Sequence, residues 1–266
     1  MAVIGCSMAR IITVANQKGG VAKTTTTLNL AYALHKFGKK VLTVDFDSQA
    51  NLTTCYGIDN FNMGEVDIAH LMMDAMDEKT FPDPEIYIHT HDGVDFIPSS
   101  IYLSAVDAKL RMEMGAEQML MKILNPLRER YDFIIIDTCP SLGALTINAL
   151  SAADEVIITV NPQLLAMMGL QDLIHTVKKI KHRLNPRLEI AGILLTMCNP
   201  RTNLHKALVE EMVKAYEKKI KIFHTQIPRT VKVGEAIYYG MSIEQYSPKA
   251  NAGIAYSKLA EEIISL

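Results

Sequence analysis

The stretch Asn16-Gln17-Lys18-Gly19-Gly20-Val21-Ala22-Lys23-Thr24-Thr25 decides how the rest of this 266-residue chain is read. It follows an apolar, β-branched run, Ile11-Ile12-Thr13-Val14. It opens a segment, Thr24 to Phe37, in which Leu28, Ala31, Tyr32 and Leu34 recur at helical spacing. The order is strand, glycine loop, helix. Such a loop turns successive backbone N–H groups and the positive end of a helix toward one point, which suits a polyphosphate. Lys23 then reaches the outer phosphates and the Thr24 hydroxyl sits on Mg²⁺. The alternative is a glycine turn that carries no ligand, but two lysines in one short loop repel each other unless an anion offsets them.

The length fits one α/β domain over 1–266 with a sizeable core. Hydrophobic residues make up 49% of the chain, yet the longest apolar runs, such as Phe133 to Ile136 and Val156 to Val160, are far too short to span a bilayer. Residues 1–9 lack a basic leader region and read as an N-terminal extension, with Met8 a natural start. The four cysteines, Cys6, Cys55, Cys139 and Cys198, show no C-x-x-C spacing and read as free thiols of a reducing cytoplasm. The net charge of −2 hides an asymmetry: residues 178–232 carry 13 Lys and Arg against 4 Glu, which leaves −11 for the rest. A basic third on an acidic protein is what a sequence-independent nucleic-acid contact needs, although a solvated helix face has the same composition.

Downstream, Lys40 to Phe46 is a second buried-type strand. It ends in Asp45 and Asp47, which point together into the crevice where open α/β sheets bind ligands. Residues 57–93 are punctuated by Gly57, Gly64, Pro82, Pro84 and Gly93 and read as an irregular insertion with one short Met-rich helix, Asp67 to Met76. Gly93 to Pro98 is a third strand, and Tyr102 to Arg130 is helical with a break at Pro126. Tyr131 to Asp137 is an apolar strand ending in a carboxylate, the Walker B arrangement that holds Mg²⁺ through water. Helices over Leu142 to Ala152 and Met167 to Arg183 alternate with strands over Glu155 to Val160 and Glu189 to Met197. The fold class is therefore α/β, a mostly parallel twisted sheet with helices on both faces. The last helix, Ile254 to Leu266, stacks Tyr256, Leu259, Ala260 and Ile263 on one face and carries a slightly acidic polar face.

The glycine loop resembles the deviant Walker A motif Lys-Gly-Gly-x-Gly-Lys-Thr-Thr of the ParA/MinD family of P-loop ATPases, with its signature lysine at Lys18 and Ala22 in place of a glycine. If position 22 needs φ > 0, alanine there costs about 1 kcal/mol relative to glycine; if it is helical, alanine is harmless. Asp45-Phe46-Asp47-Ser48-Gln49-Ala50-Asn51 is similar to the family's Walker A′ motif Asp-x-Asp-Pro-Gln-Gly-Asn, with Ser48 for proline and Ala50 for glycine. Asp137-Thr138-Cys139-Pro140 matches its Asp-x-x-Pro. From Thr196 to Pro248, Thr-Met-Cys-Asn-Pro-Arg-Thr-Asn-Leu, Gln-Ile-Pro-Arg-Thr-Val-Lys-Val-Gly-Glu-Ala and Ser-Ile-Glu-Gln-Tyr-Ser-Pro resemble the ParA/Soj branch.

The resemblance implies a single-domain P-loop NTPase fold and a Mg²⁺-dependent ATPase acting in DNA segregation. It places ATP on Lys18, Gly19, Gly20, Val21, Ala22, Lys23, Thr24 and Thr25, with Cys198 to Pro200 and Pro228 beside the adenine. It places Mg²⁺ near Thr24, Asp45 and Asp137, the attacking water at Asp47, and Lys18 across a two-fold interface on the partner's nucleotide. Arg201 and Arg229, with Lys232 beside them, would contact double-stranded DNA without sequence preference. The implied cycle is an ATP-bound homodimer on DNA, released on hydrolysis that a ParB-like partner stimulates, in the cytoplasm at the nucleoid. Two other readings are a MinD-like spatial regulator at the membrane, which wants a basic amphipathic tail where this one is acidic, and a nucleotide-gated scaffold with little hydrolysis.

Overall fold

Continuous β-branched and aromatic runs such as Phe133-Ile134-Ile135-Ile136 have no polar face, so they are stable only where both sides of a sheet are covered. The computed structural model describes residues 8–58, 66–163, 166–199 and 201–266, and it shows such a sheet. Of the earlier readings, the extension over residues 1–7 with Cys6, and the single positions Gly64 and Pro200, lie outside the described residues. The strands are β1 (Arg10–Ala15), β2 (Val41–Phe46), β3 (His89–His91), β4 (Val94–Ile97), β5 (Phe133–Thr138), β6 (Glu155–Val160), β7 (Glu189–Cys198) and β8 (Ile222–Pro228). They lie in the order β3-β4-β2-β5-β1-β6-β7-β8, all parallel except the short edge strand β3.

The helices are α1 (Lys23–Lys36), α2 (Asn51–Cys55), α3 (Ile68–Met76), α4 (Pro84–Tyr87), α5 (Leu103–Leu110), α6 (Met119–Leu124), α7 (Ala144–Ala152), α8 (Ala166–Arg183), α9 (Asn203–Tyr216), α10 (Lys232–Tyr238), α11 (Ile243–Tyr246) and α12 (Asn251–Ile264). One core cluster joins the sheet to residues of α3 and α5 to α9, and a second joins the other face to α1, α2 and α10 to α12. The stripe Tyr256, Leu259, Ala260 and Ile263 of α12 is buried in the second cluster.

The segment 57–93 is more regular than its punctuation suggests. Asp67 and His70 form a capping box that starts α3, and Ile68, Leu71 and Met72 of that helix enter the core. The same segment supplies β3. The helical stretch after Tyr102 breaks at 111–115, where Gly115 takes φ 70°, and again in a 3₁₀ turn over Asn125–Leu127 at Pro126.

Because α8 joins β6 to its parallel neighbour β7, and α9 joins β7 to β8, both helices start at the carboxyl edge of the sheet and finish at its amino edge. The glycine loop and the ends of β2 and β5 also sit at the carboxyl edge.

Candidate functional site

The loop between β1 and α1 is held from three sides. Asn16 donates from Nδ2 to Thr159 O at 2.5 Å and accepts from the Lys18 N–H at 2.9 Å. The Thr196 hydroxyl of β7 donates to Val21 O at 3.0 Å, and Lys23 Nζ reaches back to Lys18 O at 3.1 Å. Gly20 and Ala22 are both left-handed, with φ 68° and 63°. Ala22 therefore occupies the unfavourable alternative, a position that glycine fills without strain. As the residue that caps α1 it offers no side-chain acceptor, so the first N–H groups of the helix remain for a ligand. Ala50 repeats the pattern at the start of α2, with φ 50° and no side-chain cap.

The register of β2 on β5 sets Asp45 directly beside Asp137. Both are buried, and that burial together with their mutual repulsion pushes Asp137 up to about 8. Burial likewise lifts Asp45 to about 6, against the pull of hydrogen bonds from Thr53. Burial lowers the Lys23 ammonium, and the opposing charges of Asp137 and Asp47 only partly restore it. The Thr24 hydroxyl donates to Asp137 Oδ2 at 2.6 Å, while Asp137 Oδ1 is buried and has no hydrogen-bond partner among the described residues. An orphaned carboxylate oxygen among three acidic groups is a strong reason for a hard cation, which would satisfy the oxygen and offset the repulsion. The residues present fit Mg²⁺.

Asp45, expected to support the magnesium shell, lies beside Asp137 and is also hydrogen-bonded to the loop after β2. Its Oδ2 accepts from both the N–H and the hydroxyl of Thr53 at 2.8 Å, and its Oδ1 accepts from the Asp47 N–H at 3.2 Å. It braces the loop after β2, and only Oδ1 keeps capacity for another donor. Asp47 accepts from the Gln49 N–H through Oδ1 at 3.0 Å, and Ser99 Oγ donates to its carbonyl at 2.9 Å; Oδ2 accepts from no described residue. The Thr53 and Ser99 braces, like Asn16 and Thr196, were not anticipated. Short polar side chains carry no sign in the sequence of which distant backbone group lies alongside.

A small cleft of about 90 Å³ beside the loop is lined by Ala22, Thr25, Met197, Pro228, Arg229 and Tyr256, among others. Pro228 thus shares a wall with the glycine loop. The Lys18 side chain lies beside Gly169 of α8. Arg201, Arg229 and Lys232 are exposed at the carboxyl edge. The Arg229 N–H donates to Cys198 O at 2.9 Å, and Lys232 Nζ donates to Ser247 Oγ at 3.1 Å.

A model of the AAA domain matches residues 9–190. The sporulation initiation inhibitor protein Soj of Bacillus subtilis is 39% identical over 256 residues, 96% of this chain and 98% of that one. The chain belongs to the ParA/Soj family of P-loop ATPases. A second Soj, the chromosome-partitioning ATPase of Treponema pallidum, is 37% identical over 97% of this chain and 98% of its own. Cobyrinic acid a,c-diamide synthase from Mycobacterium smegmatis, solved with an ATP analog and magnesium, superposes with a TM-score of 0.82 at 31% identity, covering 96% of this chain and 94% of that one. This ParA/Soj-type protein is an ATPase that uses ATP with Mg²⁺.

One inference from charge needs correcting. The basic excess of residues 178–232 is not a single patch around Arg201 and Arg229. Four of its 13 cations, Arg201, Lys206, Arg229 and Lys232, lie toward the carboxyl edge; the other nine sit on the last turns of α8 and α9 and the loops after them, at the opposite edge.

Proposed function

We infer that this ParA/Soj ATPase drives DNA segregation through an ATP-bound homodimer. Two copies meet across their nucleotide loops, bind double-stranded DNA without sequence preference, and let go when a ParB-like partner stimulates hydrolysis. The protein then works in the cytoplasm, at the nucleoid. Among the described residues no helix is long and apolar enough to cross a membrane.

Phosphoryl transfer to water asks for positioning and charge neutralisation rather than covalent help. Lys23, buried between the loop and Asp137, lies where outer phosphate oxygens would be neutralised. Asp47, held through Oδ1 by the Gln49 N–H, presents Oδ2 to orient the attacking water. Mg²⁺ held by Thr24 and, through water, by Asp137 would neutralise charge on the phosphate chain. In the dimer Lys18 would leave α8 and reach the partner's nucleotide, where it takes the part of an arginine finger.

The observation that carries the reading is the shared cleft: Arg229 lines the same wall as Ala22 and Thr25. Occupancy of the loop is thereby mechanically adjacent to a DNA-contacting arginine, and pairing two copies doubles the phosphates contacted at once. The test is DNA retention with a slowly cleaved ATP analog, with ADP and without nucleotide across a salt series, alongside the molecular mass in each state. The analog should give a dimer and salt-sensitive retention. A monomer that holds DNA equally well without nucleotide would sink the proposal.

A further inference from the structure

We propose that the amino edge of the sheet carries a second surface for the phosphate backbone of duplex DNA, separate from the one at Arg201 and Arg229. The inference rests on the reading above that DNA is the ligand. It adds that each protomer holds DNA at both ends of its strands and can tether two duplex segments.

Three observations support it. Between Asp172 and Glu189 the chain has no acidic residue, and it carries five cations there. Lys178, Lys179, His182 and Arg183 fall one helical turn apart on the exposed side of α8, and Arg187 follows in the loop. Lys214, Lys218, Lys219 and Lys221, at the finish of α9 and after it, are brought to the same edge by the parallel crossover.

The second observation is pairing. Arg10, Lys36, Lys79, Lys109, Arg111 and Arg128 each meet a carboxylate. Of the nine cations on the last turns of α8 and α9 and in the loops after them, among the described residues only Lys181 does, with Glu189. Compensation of a helix dipole accounts for one or two cations in a last turn; it does not account for nine cations on two helix ends and the loops after them against two acids, Glu189 and Glu217.

The third observation chooses the partner. A helix that lies on a membrane needs exposed large apolar side chains next to its basic face. Among the described residues, none of the exposed large hydrophobics falls in α8, in α9 or in the loops that follow them. Charge without apolar anchors is the signature of backbone contact to nucleic acid.

The experiment uses the full chain with Lys178→Ala, Lys179→Ala and Arg183→Ala combined. A second variant from the other helix combines Lys214→Ala, Lys218→Ala and Lys219→Ala. Both alter exposed side chains, and thermal melting confirms folding. With the ATP analog bound, the slope of log affinity against log salt should fall by about 2–3 in each, at roughly 0.9 per lost phosphate contact. Capture of a second, fluorescent duplex by bead-bound duplex should drop at least fivefold. Unchanged slope and unchanged capture in both variants overturn the inference. So does loss of flotation with phosphatidylglycerol vesicles while DNA binding is untouched, because the partner would then be a membrane. If Arg201→Ala with Arg229→Ala is also silent on DNA, the proposed function falls with it; if those arginines matter and the amino-edge variants do not, only this inference falls.

Discussion

Ala22 and Ala50 adopt the same left-handed backbone, each at the residue that starts a helix beside the nucleotide loop, and each where the family's motif has glycine. An L-residue there costs about 1–2 kcal/mol, while glycine would give back about 0.4–1 kcal/mol through the greater freedom of the unfolded chain. Ala22→Gly and Ala50→Gly should therefore each stabilise the protein by about 0.5–1 kcal/mol, read from urea midpoints at constant m. Destabilisation by either would mean that the positive φ is not the resting state.

Thr53 connects the loop after β2 to the loop after β4, since its hydroxyl donates to Asp45 and accepts from the Ser99 N–H at 2.9 Å. Thr53→Val leaves the buried Ser99 N–H without its acceptor and takes one of two donors from Asp45 Oδ2, and should cost about 1–3 kcal/mol. Because Asp45 and Ser99 both hold Asp47, turnover should fall more than ATP affinity. Thr53→Ser restores the hydroxyl and should recover most of both; a serine variant as impaired as valine would remove the hydroxyl from the explanation.

Lys18 supplies the loop with its carbonyl, which accepts from Lys23, and the reading above supplies the partner with its ammonium. Lys18→Ala should keep ATP binding and lose about a hundredfold or more in DNA-stimulated turnover. Asp47→Ala should bind ATP and fail to turn over. Mixing the two inactive variants should recover activity, because a mixed dimer contains one site with both groups. No recovery on mixing would place Lys18 in its own site.

Glu262 of α12 accepts the N–H groups of His224 and Thr225 at 3.1 and 2.8 Å. Partial burial works against its charge, but the hydrogen bonds from Thr225 and His224 win and hold the carboxyl below its ordinary value. A carboxyl lowered by folding stabilises the protein above its unfolded pKa, and that contribution is lost as pH falls through the folded value. Glu262→Gln should therefore destabilise the protein by about 1 kcal/mol at neutral pH and by little below pH of about 4. Urea midpoints across that range measure it. An equal loss at both ends would mean that charge is not involved.

The chemistry was legible where a strand ends in it. β6 was read with its observed bounds, and the glycine loop and the carboxylate ending β5 stand where periodicity put them, because buried parallel strands are uninterrupted apolar runs. β3 and β8 left no such trace: His89–His91 is three half-exposed residues, and β8 alternates exposed and buried before it ends in proline. The division of the basic segment between two edges was hidden for another reason, since a charge count along the chain does not register that each crossover helix reverses direction.

The sheet is finished at both margins, by three antiparallel residues of β3 on one side and by the Glu262 carboxylate on the N–H groups of β8 on the other. Both devices disfavour lateral growth by addition of another molecule's strand. In the homodimer proposed above, the copies would then meet at the loops that carry the nucleotide rather than by extending the sheet.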